Sequence, residues 1–319
     1  MVNGIINVYK EKGFTSFDVV AKMRGIFHQK KIGHTGTLDP DAEGVLPVCL
    51  GKATKVCDLL TDKDKEYEAV LLLGQETDTQ DITGAVQKSA EVNVTEEEIA
   101  EIIHGFVGTY DQIPPMYSAL KVNGQKLCDL ARKGITVERQ ARAVTIYEIE
   151  ILDIKLPEVR MRVHCSKGTY IRTLCQDIGE KAGCYGCMKE LLRTRVAGFL
   201  LDDAYRIGEI EQLVKEKGQS KDINDWNLQL FSEFMYPIDT VFEHYPKLKV
   251  TEEAEKLVRN GNRIPASMIE TKEQTKEQIE EQIQEAETIR LYDWNDIFIG
   301  LYSYQKLENE YKPVKLFMD

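Results

Sequence analysis

The sequence predicts an α+β protein: a mixed, largely antiparallel central sheet flanked by helices, followed by a small β-rich module. Three observations lead there. Tyr147, Ile149 and Ile151 alternate with Glu148 and Glu150, and Val159, Met161, Val163 and Cys165 alternate with Arg160, Arg162 and His164, which is the period of a strand. Helical spacing and capping signals fall between such segments at uneven intervals. The regular strand–helix–strand alternation of a parallel, doubly wound sheet is missing.

In chain order, Ile5–Tyr9 reads as a short strand. Ser16 is placed to cap a helix running to Phe27, with Val20, Met23 and Phe27 near one face. Tyr67–Gly74 reads as a buried strand, and Thr95-Glu96-Glu97-Glu98 as a capping box for a helix reaching about Val107. The two alternating strands follow, the second offering a basic face. Ile171, Leu174, Cys175 and Ile178 then have helical spacing, with Gly183 as the stop. The boundary is expected near residue 240, dividing the chain into 1–240 and 241–319, with 219–227 as a polar loop before it. A Glu/Gln-rich insertion occupies about 270–287, and Ile289–Tyr292 and Ile297–Leu301 read as strands closing the second unit.

The 319 residues, 42% hydrophobic and 29% charged, suit one large domain and a smaller one. The N-terminus lacks the basic-then-apolar pattern of a secretory signal, no apolar run approaches a bilayer span, and the seven cysteines are scattered. A cytoplasmic protein with reduced thiols and no membrane association is the expectation. The net charge of −12 argues by itself against a nucleic-acid binder. The distribution qualifies this, because residues 201–319 hold 15 Lys and Arg against 25 Asp and Glu. Between 121 and 142, Lys121, Lys126, Arg132, Lys133, Arg139 and Arg142 face only Asp129 and Glu138. Local field, not total charge, governs phosphate affinity; on charge alone a solvated face accounts for this segment better than an RNA surface does.

Two segments concentrate chemistry. Gly33-His34-Thr35-Gly36-Thr37-Leu38-Asp39-Pro40 is a loop, since glycines supply turns and the residue before proline is driven out of the helical region. It presents one His and one Asp; alone, it is better read as an Asx-type turn with an exposed histidine than as a catalytic platform. Asp39, Asp41, Glu43 and Gly44 imitate the start of a calcium loop, but its twelfth position is Leu50 and not a bidentate Glu. Cys184 and Cys187 form a lone pair without a second pair at zinc spacing, and no phosphate loop or nucleophile elbow is present, so no metal is expected. In the second segment, Lys167–Arg172, Tyr170 and Arg172 open a helix; an aromatic with a guanidinium suits base stacking and carboxylate pairing, though a core-edge Tyr and an exposed Arg are the commoner case. Tyr67, opening its strand, is by itself an ordinary core aromatic.

Several blocks, in order, resemble the TruB family of tRNA pseudouridine synthases. They are Lys10–Ser16, Gly33–Lys55, Lys65–Asp81, Ile113–Gly134, Cys165–Cys184 and Leu191–Arg195, together spanning roughly residues 3–200. One departure stands out: Glu11 follows Lys10 where the family usually has proline, which removes a stiff turn residue. Residues from about Tyr245 more weakly resemble a PUA-like RNA-binding module.

The resemblance implies a pseudouridine synthase fold and an isomerase acting on uridine 55 in the T-loop of tRNA, with Asp39 as nucleophile and no cofactor. It implies Arg172 as the partner of Asp39, Tyr67 stacked on the uracil and placed to take the C5 proton late in the cycle, Tyr170 and Leu191 lining the pocket, and His34 and Lys10 as further substrate contacts. Lys121, Lys126, Arg132 and Lys133 become a surface for the T-arm. No partner subunit is required by anything in the sequence, so a monomer is expected. Two rival classes remain: a tRNA-folding chaperone using the same site, and a carboxylate-dependent nucleoside hydrolase, which would release free uracil.

Overall fold

The computed structural model describes residues 1–218, 222–270 and 288–318. Most of the Glu/Gln-rich stretch expected at 270–287, and residues 219–221, lie outside the described residues.

The first sheet has ten strands: β1 (Gly4–Lys10), β2 (Ile32–His34), β3 (Glu43–Leu50), β4 (Lys65–Leu73), β5 (Gly108–Gln112), β6 (Arg142–Lys155), β7 (Glu158–Cys165), β8 (Gly186–Val196), β9 (Phe199–Leu200) and β10 (Tyr205–Arg206). Their order is β10-β1-β3-β8-β4-β7-β6-β5, with β2 on β3 and β9 on β8. Only β1–β10 and β3–β8 pair in parallel, so the sheet is mixed and largely antiparallel, as expected. Four longer helices accompany it: α1 (Ser16–Ile26), α2 (Glu96–His104), α3 (Ile171–Lys181) and α4 (Ile207–Gly218).

Apolar faces explain where the helices go. Ile99 and Ile103 of α2 and Ile171, Leu174, Cys175 and Ile178 of α3 cover Ala69, Leu71, Met161 and Val163 of the sheet. Val19, Val20 and Met23 of α1 and Ile210 and Val214 of α4 bury Ile6, Val8, Leu46 and Val48. The contact between α3 and β8 is very close. A Cβ on Gly179 would stand 2.1 Å from the Gly186 nitrogen.

Several local expectations are revised. The cap of α1 is Thr15, in a reciprocal box with Asp18, and not Ser16. The Ser16 hydroxyl instead accepts from the Leu38 N–H at 2.9 Å. Helix α2 ends at His104, with Gly105 as its C-cap, short of Val107. A register shift between Ile146 and Glu148 in β6 turns Tyr147 outward, 51% exposed and against the His164 ring. The basic face of β7 is neutralised pair by pair: Arg162 binds Glu68 and Glu150, Arg160 binds Glu190, and His164 and Arg195 share Asp64. Paired this way, it is no free anion surface.

A second sheet, in the order β11-β13-β14-β15-β12, comprises β11 (Lys247–Lys249), β12 (Ile264–Pro265), β13 (Thr288–Tyr292), β14 (Phe298–Gln305) and β15 (Glu310–Leu316). Strand β15 escapes a reading of periodicity because Pro313 interrupts it; Pro313 pairs with Tyr302 beside a register shift, where a missing N–H is tolerated. The second sheet has its own core around Val250, Ile289, Leu291 and Tyr302. It also joins the first through Phe242, whose ring lies 6.1 Å from Phe298 and 5.7 Å from Phe317.

Two alanine substitutions should move stability in opposite directions. Gly179→Ala overpacks the α3–β8 contact and should cost about 2 kcal/mol or more in denaturant unfolding. Gly25→Ala, in the exposed last turn of α1 with nothing within 4 Å of the added carbon, should gain about 0.5–1 kcal/mol.

Candidate active site

The site lies at the middle of the first sheet, where β3, β8 and β4 run side by side. Gly44 of β3 pairs with Arg193 of β8, which pairs with Tyr67 of β4. The approach is so close that a Cβ on Gly44 would meet the Arg193 carbonyl at 2.2 Å, and Gly44 has φ +104°, so only glycine fits. The loop Thr35–Ala42 enters β3 immediately before this crossing and carries Asp39 above it.

Arg172, the second residue of α3, is 5% exposed and reaches Asp39 with two bonds. Its Nε lies 2.9 Å from Oδ2 and its Nη2 3.3 Å from Oδ1. Two of its other guanidinium hydrogens go to the carbonyls of Thr79 (2.9 Å) and Tyr117 (2.8 Å), and Asp81 stands 3.8 Å away. The fork therefore fixes the carboxylate in angle as well as position. Asp39 keeps 39% side-chain exposure, so it is held by protein on one side and open on the other. Burial raises its carboxyl above the usual carboxylate range; Arg172 opposes this and Asp81 adds to it.

Two further cations lie beneath the loop. Lys10 is fully buried, and its ammonium donates to the carbonyls of Ala42 (2.5 Å), Pro40 (3.1 Å) and Glu11 (3.3 Å). Burial pushes it down to about 8. This corrects the expectation of a substrate contact: every direction open to the ammonium is filled by the chain, and Lys10 fastens the loop from below. Arg193 is 1% exposed and donates to the carbonyls of Val45 (2.7 Å) and Gly36 (3.3 Å), with Tyr67 beside it on the neighbouring strand. Burial raises the Tyr67 phenol above its ordinary value, with Arg193 pulling it back.

His34 is half-buried at the opposite side of the loop. Its Nδ1 accepts from the Gly36 N–H at 3.2 Å, and its ring meets Phe17 edge-on at 5.9 Å. Burial, then Arg193, lowers it, so the imidazole is neutral near pH 7. Phe17 is 71% exposed and was not anticipated, because an aromatic on a helix reads as core. Tyr170, the N-cap residue of α3, and Leu191 of β8 are half-buried beside the cluster. The Glu11 departure is compensated locally: Glu11 pairs with Arg206 at 2.9 Å, and Arg206 lies over the Tyr9 ring.

Sequence reasoning also passed over Arg193, Asp81 and Gln112. Gln112 holds the main chain of Tyr170, and all three residues lack a local pattern that would mark them. Lys121, Lys126, Arg132 and Lys133 are exposed and lie on a separate element, the hairpin Lys121–Lys126 and the short helix Leu127–Ala131. Arg132 pairs with Asp129 at 3.5 Å. Among the described residues no three His, Cys, Asp or Glu side chains converge as metal ligands, and no helix is long and apolar enough to cross a membrane. Two hollows, beside Glu98 and beside Asp202, contain none of the Asp39 cluster.

Comparisons with known proteins agree with this geometry. A model of the TruB family pseudouridylate synthase N-terminal domain matches residues 24–171, and one of the tRNA pseudouridylate synthase B C-terminal domain matches 172–243. A tRNA pseudouridine synthase B of Lachnoclostridium phytofermentans is 53% identical, with 99% of this chain and 100% of the relative covered. Its counterpart in Clostridium tetani is 42% identical, with 99% of each covered. Among solved structures, a chain in the crystal structure of a Cbf5-Nop10-Gar1 complex superimposes with a TM-score of 0.69 at 26% identity, covering 99% of this chain and 85% of that one. Fold, ordered motifs and near-full-length relatives together place the chain in the TruB family of pseudouridine synthases.

Proposed function

We propose that this protein converts uridine 55 in the T-loop of tRNA to pseudouridine, with Asp39 as the attacking carboxylate. The observation that carries the reading is the forked Asp39–Arg172 pair beside Tyr67, in a chain whose relatives are named tRNA pseudouridine synthase B. The reaction breaks C1′–N1, turns the uracil and joins C1′ to C5; the C5 proton leaves and N1 gains one. It is an isomerisation with no net oxidation or group transfer, so its stoichiometry demands no cofactor.

A T-loop uridine is stacked and has to be flipped out, at a cost of a few kcal/mol. The neutral ring of His34 and the exposed face of Phe17 flank the loop and suit the space the base vacates. Asp39 then acts on the flipped nucleotide, at C6, at C1′ or on the 2′ proton; all three require it ionised and aimed, which Arg172 supplies. Tyr67, a buried neutral phenol, is suited to stack on the uracil and not to stand as a base. Tyr170 and Leu191 complete the pocket wall. Lys10 and Arg193, bonded to carbonyls, put positive potential below the place where the detached uracil carries negative charge.

The tRNA surface follows from one detail. Lys121 and Lys126 are directly opposed across a hairpin closed by Asn123 (φ +51°) and Gly124 (φ +82°). Like charges in that register repel, and Lys121, Lys126 and Lys133 have no ion pair among the described residues. A phosphate between them resolves the repulsion. Residues 241–319 form a second unit of PUA-like character, and the whole acts as a cytoplasmic monomer.

Asp39→Asn should lower tritium release from C5-labelled uridine in unmodified tRNA by at least about 10³-fold; retained turnover would remove Asp39 as nucleophile. Because Asp39 sits above its ordinary range, the single-turnover rate should fall as pH drops through that raised value. In Arg172→Gln the opposing charge is gone, so this acid limb should move to higher pH; an unmoved limb contradicts the pairing. Lys121→Ala combined with Lys126→Ala should weaken tRNA binding and flatten the log K against log salt plot by about 1–2. Unchanged affinity and slope would move the T-arm surface elsewhere.

A further inference from the structure

We propose that Gln112 is a positioning residue for the isomerisation, gripping the main chain of Tyr170 from both sides and so fixing where the pocket wall and the Arg172 helix begin. The inference rests on the reading of the site given above, and it names a residue that does not itself touch the substrate.

Gln112 is the last residue of β5 and is 1% exposed. Its Oε1 accepts from the Tyr170 N–H at 2.8 Å, and its Nε2 donates to the Tyr170 carbonyl at 3.1 Å. The second Nε2 hydrogen goes to the Tyr110 hydroxyl at 2.6 Å, and burial, then the Asp177 carboxyl on α3, raise that phenol. The side-chain amide thus mimics a neighbouring strand, satisfying both backbone groups of one residue. Helix α3 has no side-chain cap of its own; Tyr170 is its N-cap residue, and its carbonyl also accepts the first helical bond, from Leu174 at 3.0 Å. Two residues on lies Arg172, whose Nη2 bonds the Tyr117 carbonyl five positions after Gln112. The segment 112–117 therefore meets the start of α3 at both ends, and Gln112 is its only side chain bonded to the Tyr170 backbone among the described residues.

A buried amide contributes little apolar burial, and each of its bonds adds only modestly to folding stability. Its effect on geometry is larger, because displacing a reacting group by about 1 Å can cost on the order of 10²-fold in rate. Arg172 aims Asp39 through the start of α3, so a loosened Tyr170 misdirects the carboxylate while the T-arm surface on the separate 121–133 element is untouched.

The test uses the full-length protein and an unmodified tRNA transcript. Gln112→Leu should lower kcat at least tenfold with KM for tRNA changed less than threefold. Amide exchange should quicken at least tenfold at residues 170–172 while residues 175–178 stay protected. Gln112→Glu supplies a conditional rescue. Ionised, its carboxylate accepts from the Tyr170 N–H but donates nothing; protonated, its single O–H can donate to the Tyr170 carbonyl. Its rate relative to wild type should therefore rise as pH falls, opposite to the trend of the Asp39 limb. Wild-type kcat in Gln112→Leu, or unchanged exchange at 170–172, overturns the proposal; so does a loss confined to KM. If the Leu variant does not fold, the pH trend of the Glu variant decides in the same two directions. Exchange needs no turnover, so inactivity of the wild-type protein on tRNA would sink the proposed substrate while leaving the grip itself measurable.

Discussion

A guanidinium 5% exposed cannot stand without acceptors, and Arg172 meets this demand by drawing three chain segments to one point. Asp39 comes from the loop before β3, Thr79 and Asp81 from the turn after β4, and Tyr117 from the segment after β5. Each is distant from Arg172 in sequence. The cost of burying the charge is offset only if all the bonds form together, which makes the pairing a constraint on the fold as much as a feature of the site. The same demand leaves Asp39 oriented and partly open, the state a directed carboxylate requires.

Beneath the pair, the structure solves a second electrostatic problem differently. Lys10 and Arg193 are buried without a carboxylate at bonding distance, and backbone carbonyls accept from both. Carbonyl dipoles hold a cation without cancelling its charge, so the floor of the site stays positive while Asp39 above it is compensated by Arg172. Tyr67 and His34 feel that floor: Arg193 draws the phenol down against burial and adds to the burial that keeps the imidazole neutral. The roles proposed for these side chains as stacking partners are consistent with both being uncharged.

Tight contacts set the relative position of these elements. Gly44 sits where β3 passes within a carbon's width of Arg193, and Gly179 where α3 lies against Gly186. One fixes the loop of Asp39 to the strand of Arg193, and the other fixes the helix of Arg172 to the same strand. Strand β8 is thus the reference against which both halves of the ion pair are set.

Much of the frame was readable from residue order. The capping box at Thr95, the buried strand opening at Tyr67 and the helix after Tyr170 follow from local periodicity and chain chemistry, which need only near neighbours to operate. The ordered blocks fixed the family and pointed to Asp39, Tyr67 and Arg172, though the Asp39 loop alone favoured an ordinary turn. Tertiary structure decided what no window of sequence contains. It showed that Lys10 lies under the loop and not in the pocket, that Ser16 serves Leu38 and not a helix cap, and that the arginines of β7 are already paired. It also brought forward Arg193, Asp81 and Gln112, whose partners lie tens of residues away. The physical reason is the same in each case: hydrogen bonds and Coulomb forces act through space, and the sequence records only which groups are available to meet.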